Sequence, residues 1–426
     1  MKIVIMAGGK GTRISSIASD IPKPMIPING NPILEYEINS LKKQGLTDIV
    51  IVVGHLKEVI MDYFRDGNEF GVHISYFEES TPLGTAGALA YLKNELVDDF
   101  VLLNGDVLFD IDIQKFYRYH KEKGGLATIL THPNSHPYDS SLVVTDANNY
   151  VIDWLSKEDE RLIYKNRVNA GAHILSPEVI DMINLGQKVD LDREILKPLV
   201  ATKKLVAYDS PEYIKDMGTP ERLKLVTNDL ISGKVEKRNL KLKQRAIFLD
   251  RDGTINEYKN FIVTPDQITL MKRAAEAIKM INNSEYLAVI ITNQPVIARG
   301  DCTVEELEKI NNKLETLLGE EGAYIDDIYY CPHHPDKGFE GERSEYKIKC
   351  KCRKPEPGML LAAAERYNID LSKSYMIGDD ERDVKAGQNA GCQSILISES
   401  SNANVEGCMF YSDLYEAVKS IIGEVE

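Results

Sequence analysis

Ile3-Val4-Ile5-Met6-Ala7-Gly8-Gly9-Lys10-Gly11-Thr12-Arg13 and Ala246-Ile247-Phe248-Leu249-Asp250-Arg251-Asp252-Gly253-Thr254 share one plan. In each, a short apolar run that reads as a buried strand ends in a polar loop. Open α/β sheets place their ligands at the carboxyl ends of their strands, so each stretch is a candidate site. In the first, Gly8, Gly9 and Gly11 let the backbone approach a phosphate and turn its N–H groups toward it. Arg13 adds a planar fork of donors. No Gly-Lys-Ser/Thr closes the pattern, so it is not a P-loop. In the second, Asp250 and Asp252 are one residue apart on a loop and can face the same phosphate. A calcium loop is disfavoured because its later ligands are missing.

Similar runs recur between helical stretches at residues 48–53, 100–103, 126–130, 286–291 and 375–377. The alternation predicts an α/β protein of two doubly wound domains, with parallel sheets covered by helices. A charged run from Gly233 to Gln244 separates the halves, so the expected division is 1–232, a linker at 233–244, and 245–426. That run is expected to be a solvated helix end and linker.

The chain has 426 residues and a formal charge of −15. That balance disfavours nucleic acid as a partner, since backbone binding needs a basic face. No apolar run reaches the ~20 residues that span a bilayer. The first residues enter a strand pattern directly, and six cysteines do not make a disulfide scaffold, so a cytoplasmic location is expected. Composition leaves the oligomeric state open.

Around the glycine loop, Pro22-Lys23-Pro24 presents a lysine between two prolines. Leu103-Asn104-Gly105-Asp106 ends a strand in a carboxylate, and Asp216-Met217-Gly218-Thr219-Pro220 supplies another. These elements, in this order, resemble the sugar-1-phosphate nucleotidyltransferase family over roughly residues 1–230. The resemblance implies a Rossmann-like domain in which Gly8, Gly9, Gly11, Thr12, Arg13 and Lys23 bind nucleotide phosphates. Asp106 and Asp216 would hold Mg²⁺, and Arg13 and Lys23 would act in catalysis. The segment Pro82 to Ala88, with Gly84 and Thr85, looks like the loop that contacts base and sugar, with Glu78 or Glu79 near it. Asn169-Ala170-Gly171 looks like the sugar-contacting stretch. Where the family often has Glu-Lys-Pro, this chain has Ser156-Lys157-Glu158; Lys157 remains a candidate for the sugar phosphate.

In the second half, Ile290-Ile291-Thr292-Asn293-Gln294, Arg353-Lys354-Pro355 and Ile377-Gly378-Asp379-Asp380-Glu381-Arg382-Asp383 follow the acidic loop. Together they resemble the haloacid dehalogenase (HAD) phosphatase superfamily. The resemblance implies that Asp250 is the nucleophile and Asp252 the general acid and then base. Thr292 and Lys354 would hold the phosphoryl group, and Asp250, Asp379 and the Asp252 carbonyl would bind Mg²⁺. Cys331-Pro332-His333-His334 and Cys350-Lys351-Cys352 form a Cys-x-His and Cys-x-Cys set suited to a closed, structural Zn²⁺ site. His333 is preferred over His334 by family spacing, although the residues alone leave that choice open.

The zinc loop, with Asn293, Arg299-Gly300 and Cys352 to Met359, looks like the D-glycero-D-manno-heptose 1,7-bisphosphate 7-phosphatases; histidinol-phosphate phosphatases are close relatives. Arg299 and Arg353 are candidates for the non-reacting phosphate. A 7-phosphatase would yield the kind of sugar 1-phosphate that a nucleotidyltransferase consumes. The first half resembles the guanylyltransferases of GDP-heptose assembly, so the expected partners are GTP and a phosphorylated heptose. The alternative is a transferase of another sugar or base fused to a histidinol-phosphate or general sugar phosphatase.

Overall fold

Ile3, Val4 and Ile5 are wholly buried at the centre of a sheet, which is why an uninterrupted apolar run was needed there. The computed structural model describes residues 1–9, 20–338, 340–398 and 405–423. The chain divides into two compact units. The first comprises Met1–His132, Val143–Leu155 and Asn169–Asn239, and the second Pro133–Leu142, Ser156–Val168 and Leu240–Glu426. The second unit therefore takes two segments from the first half of the sequence, which no composition shift at residue 233 announces.

In the first unit, strand Ile3–Met6 lies between Asp48–Val53 and Phe100–Asn104 and is parallel to both; His73–Glu78 extends the sheet in parallel beyond Asp48–Val53. On the other side Val168–Leu175 runs antiparallel to Phe100–Asn104. The sheet is therefore mixed, where the alternating pattern suggested a parallel one. Val168–Leu175 follows strands joined by loops rather than by a helical crossover, and a parallel partner needs such a crossover.

Among the described residues of the second unit six strands form one parallel sheet, in the order Asp327–Cys331, Tyr286–Asn293, Arg245–Leu249, Tyr375–Gly378, Gln393–Ile397 and Met409–Tyr411. Phe248 and Ile290 are fully enclosed. The helix Val304–Glu320 begins at Thr303, whose side chain accepts from the Glu306 N–H while Glu306 accepts from the Thr303 N–H. That reciprocal cap satisfies two otherwise unpaired donors. The segment Ser156–Val168 docks on the same helix through buried Arg167, which meets Glu315 at 3.3 Å.

The charged run after Gly233 is only partly the solvated linker expected. Lys234 and Arg238 are buried, Lys234 lying 3.6 Å from Asp229 within the first unit. Pairing offsets the cost of burying that cation, which a window of sequence does not reveal.

Candidate active sites

In the first unit, four parallel strands deliver Gly8 and Gly9, Gly54, Glu79, and Asn104-Gly105-Asp106 to one cavity of about 830 Å³. A Cβ on Gly8 would lie 2.4 Å from Oε2 of Glu79, so glycine is what lets that carboxylate lie across the loop. Glu79 also accepts from the Leu83 N–H at 3.2 Å, whereas Glu78 pairs with Lys57 on the exposed side. Of the two glutamates flagged by sequence, Glu79 lines the cavity. Lys10, Gly11, Thr12 and Arg13 lie outside the described residues.

Gly84 and Thr85 line the same cavity. Gly84 has φ +82°, and a Cβ there would sit 2.3 Å from the Val189 carbonyl oxygen. The N–H groups of Thr85 and Ala86 both donate to that oxygen, and the Leu191 N–H donates to the Thr85 hydroxyl at 2.7 Å. Asn169 is held from three sides. Its Oδ1 meets the Gly171 N–H and His173 Nε2, and its Nδ2 donates to Asp192 at 3.1 Å. Burial, then the Asp190 charge, push Asp192 up to about 6. Gly171 abuts Asn104, which lines the cavity. Lys157 is exposed on a segment of the second unit and is not among the residues lining this cavity.

Asp106 is ion-paired with Lys23. Asp216 receives Arg222 at 3.1 Å on both oxygens and the Gly218 N–H at 2.7 Å. Burial acts to raise Asp216, but Arg222, Gly218 and Lys23 outweigh it and hold the carboxyl below its usual range. The two carboxylates share one end of the unit because Asp216 pairs with Val107 in an antiparallel ladder and the Met217 N–H donates to the Asp106 carbonyl. A third carboxyl, Glu37, stands close by. It accepts from the Val107 N–H with one oxygen and has no hydrogen-bond partner on the other among the described residues; burial and then Asp106 push it well above the carboxylate range. The three carboxyls do not bring their oxygens within 4.8 Å of one another as a metal-binding group does; Asp106 faces Lys23 and Asp216 faces Arg222 instead. Glu37 was missed in the sequence, although it interrupts the apolar stripe Ile33, Leu34, Ile38, Leu41 of its helix.

In the second unit, Lys354 is buried and spends all three donors on Asp250 (2.6 Å), Asp383 (2.6 Å) and the Ile291 carbonyl (2.8 Å). Asp250, Asp379 and Asp383 each bring an oxygen within 4.8 Å of the others. Burial raises Asp250 well above the carboxylate range, Lys354 opposing and Asp383 adding to it. Loss of hydration, then the Asp250 charge, push Asp379 up to about 6. A cluster that strains against its own negative charge fits Mg²⁺. Gly253, at φ +89°, packs on Asp379 so closely that a Cβ would fall 2.0 Å from its Oδ2. Asp383 had no assigned role in the sequence reading; its spacing four residues after Asp379 was the available signal.

The Asp252 side chain does not join that carboxylate group. It accepts from Arg251, Asn256 and Gln294 instead, so only its backbone carbonyl remains as a candidate metal ligand. Thr292 accepts from Gln294 at 2.9 Å. Asn293 exchanges two hydrogen bonds with the Lys354 backbone and so sets the position of that lysine. A cavity of about 340 Å³ in front of Asp250 is rimmed by Arg299, Arg353, Arg382 and His334. Arg299 stacks 4.3 Å over Phe261, and Arg382 is forked onto Asp380 at 2.8 and 2.9 Å.

Cys331, His333, Cys350 and Cys352 converge. Their sulfur–sulfur separations are 3.2–3.5 Å, and Nδ1 of His333 lies 3.4 and 3.6 Å from the sulfurs of Cys352 and Cys331. A tetrahedral zinc with ordinary bond lengths sets ligand atoms roughly 3.5–3.8 Å apart, and a disulfide needs about 2.05 Å. The four residues fit a zinc ion. His334 turns instead to the cavity in front of Asp250, its Nδ1 accepting from the Asp336 N–H.

Two family models match the chain, one in each half. The nucleotidyl transferase family matches residues 2–233, and the HAD-hydrolase-like family matches residues 351–407. A UTP–glucose-1-phosphate uridylyltransferase of Synechocystis sp. is 40% identical over 214 residues, 47% of this chain and 55% of that protein. A mannose-1-phosphate guanyltransferase of Kluyveromyces lactis is 34% identical over 240 residues, 55% of this chain and 64% of that protein. The chain thus spans less than two thirds of the length of either relative. The D,D-heptose 1,7-bisphosphate phosphatase structure from B. bronchiseptica is 31% identical, covering 42% of this chain and 98% of that one, with a TM-score of 0.37. With a family match over more than half its length, the chain belongs to the nucleotidyl transferase family, and it carries a HAD-like region in its second half.

Proposed function

We propose that the chain is a bifunctional cytoplasmic enzyme that removes the 7-phosphate from D-glycero-D-manno-heptose 1,7-bisphosphate and then transfers GMP from GTP to heptose 1-phosphate. The observation that supports this best is the charge at the mouth of the phosphatase cavity. Asp250 and Lys354 line it together with Arg299, Arg353 and Arg382, Arg299 paired with Asp301 and Arg382 with Asp380. Such a lining suits a substrate with a second anionic group. Among the described residues no helix is long and apolar enough to cross a membrane.

In the phosphatase, a carboxylate oxygen of Asp250 bonds to phosphorus as the sugar oxygen leaves with a proton from Asp252. Asp252 then takes a proton from water, whose oxygen displaces Asp250 from phosphorus. In the transferase, an oxygen of the sugar 1-phosphate attacks the α-phosphorus and pyrophosphate leaves, so the protein aligns two anions and offsets their charge with Arg13 and Lys23. Mg²⁺ at Asp106 and Asp216, and at Asp250, Asp379 and the Asp252 carbonyl, would supply further neutralisation. Zinc at Cys331, His333, Cys350 and Cys352 would be structural, four protein ligands leaving no open position. For the base, the carboxylate of Glu79 supports guanine. It accepts from adjacent N–H groups, which guanine offers at N1 and N2; adenine presents an acceptor at N1, and uracil's one N–H lies between two acceptors.

The test supplies heptose 1,7-bisphosphate, Mg²⁺ and each nucleoside triphosphate in turn, with mass analysis of the products. GDP-heptose, phosphate and pyrophosphate are expected. Asp250→Asn should abolish phosphate release and spare pyrophosphate formation from heptose 1-phosphate, and Asp106→Ala should do the reverse. Faster phosphate release from histidinol phosphate, or a different nucleotide in the product, would refute the corresponding half.

A further inference from the structure

Arg251 lies between the two aspartates of the phosphatase loop and is the largest fully buried side chain among the described residues, at 0% exposure. A turn of this kind does not need an arginine, and a buried guanidinium is costly unless every donor is placed. Here each of the three nitrogens has a partner. Nε donates to Oδ1 of Asp252 at 3.1 Å, Nη2 to Oδ2 at 2.9 Å, and Nη1 to Oδ1 of Asn311 at 3.0 Å. Asn311 belongs to the capped helix Val304–Glu320, so the fork is anchored on a long rigid element. Asn256 completes Oδ1 of Asp252 and Gln294 completes Oδ2, at 2.9 and 2.8 Å. Two donors on each oxygen fix the plane of the carboxyl. Of the four donors, only the Gln294 amide belongs to a residue that lines the cavity. A leaving oxygen or a water in the cavity can therefore meet Asp252 on the Oδ2 side, in the direction Gln294 now occupies.

We infer that Arg251, anchored by Asn311, is a positioning residue of the phosphatase: it holds the Asp252 carboxyl so that one oxygen faces the cavity for proton transfer to the leaving group and then from water. This rests on the phosphatase reading above, with Asp250 as nucleophile. In the first step Asp252 carries a proton on Oδ2 in the place the Gln294 amide now takes; the Asp250–phosphorus bond forms, the sugar oxygen–phosphorus bond breaks, and that proton passes to the leaving oxygen. In the second, Asp252 takes a proton from water, the water oxygen bonds to phosphorus, and Asp250 is released as a carboxylate. Arg251 gives up no proton in either step.

The test separates leaving groups. A sugar oxygen needs the proton from Asp252, whereas p-nitrophenolate leaves well without one. Single-turnover kinetics of the full chain with Mg²⁺ are measured on heptose 1,7-bisphosphate and on p-nitrophenyl phosphate. The proteins compared are wild type, Arg251→Lys and Asn311→Ala, with Asp252→Asn for reference. The second variant leaves the guanidinium in place and guards against a folding defect in the first. Arg251→Lys should slow the first turnover on the bisphosphate by about 10²-fold or more, and Asn311→Ala by about 10-fold, with KM little changed. The nitrophenolate burst should fall far less in both, while the following steady state slows on both substrates. Equal losses of the two bursts would show a merely structural role and overturn the inference, as would an unchanged bisphosphate turnover in both variants. A wild-type chain that releases no phosphate from either compound would overturn the phosphatase reading itself.

Discussion

Lys354→Met tests how the site around Asp250 is held together. The lysine is 3% exposed and forms two ion pairs at 2.6 Å, with Asp250 and Asp383. Methionine keeps most of its volume and removes the charge, leaving two buried carboxylates without their shared cation. Breaking a buried pair by removing one partner costs about 3–5 kcal/mol. Near the midpoint each kcal/mol shifts Tm by roughly 2–4 °C in a unit of this size, so the transition of the second unit should fall by roughly 6–20 °C. Calorimetry of the full chain, metal-free and with Mg²⁺, reads this. Mg²⁺ should restore more stability to the variant than to wild type, because it supplies a positive charge beside the same carboxylates. Adding Asp383→Asn should recover about 1–2 kcal/mol by removing one bare charge. A loss under about 1 kcal/mol, or a double variant no more stable than the single one, would refute the reasoning.

Three further outcomes are expected. His333→Ala should lower bound zinc and His334→Ala should leave the metal content near one ion per chain; equal loss in both would refute the assignment. Glu79→Gln should cut kcat/KM for GTP by about 10–100-fold while changing UTP and ATP far less, since one of two accepting oxygens becomes a donor. Asp192 titrates at about 6 in the folded chain, above its ordinary 3.8. Its contribution to stability is therefore fully present below about pH 4 and is lost as pH rises through about 6. Asp192→Asn should match wild type near pH 4 and exceed it by about 1–2 kcal/mol at pH 7 in urea unfolding, and a difference that does not vary with pH would sink this account.

Much of the site could be read from short stretches because the chemistry is local there. Gly8, Asp106, Asp250 and Asp379 sit one or two residues beyond strand ends, so an apolar run followed by a polar residue places each at the ligand edge of a sheet. The Cys-x-His and Cys-x-Cys spacings likewise gathered the four residues that converge. The placement of Lys157 was not legible, because its segment, Ser156–Val168, packs with residues more than a hundred positions away. Glu37, Asp192 and Asn311 were not legible for a related reason. Each acts through a partner distant in sequence, Asp106, Asn169 and Arg251 respectively, and no periodicity records such pairs.

By itself the sequence determined the two α/β halves, the loops that carry phosphate chemistry, and the residue types available to bind metals. Strand burial and loop chemistry are properties of a few consecutive residues, and those are conserved between a stretch of chain and its fold. Only the tertiary structure decided the mixed direction of the first sheet, the choice of His333 over His334 at the cysteines, and the partners of Lys354 and Asp252. Those outcomes depend on distances between strands and helices brought together by burial, and a charge's effect is set by what lies within a few ångströms of it, whatever the separation along the chain.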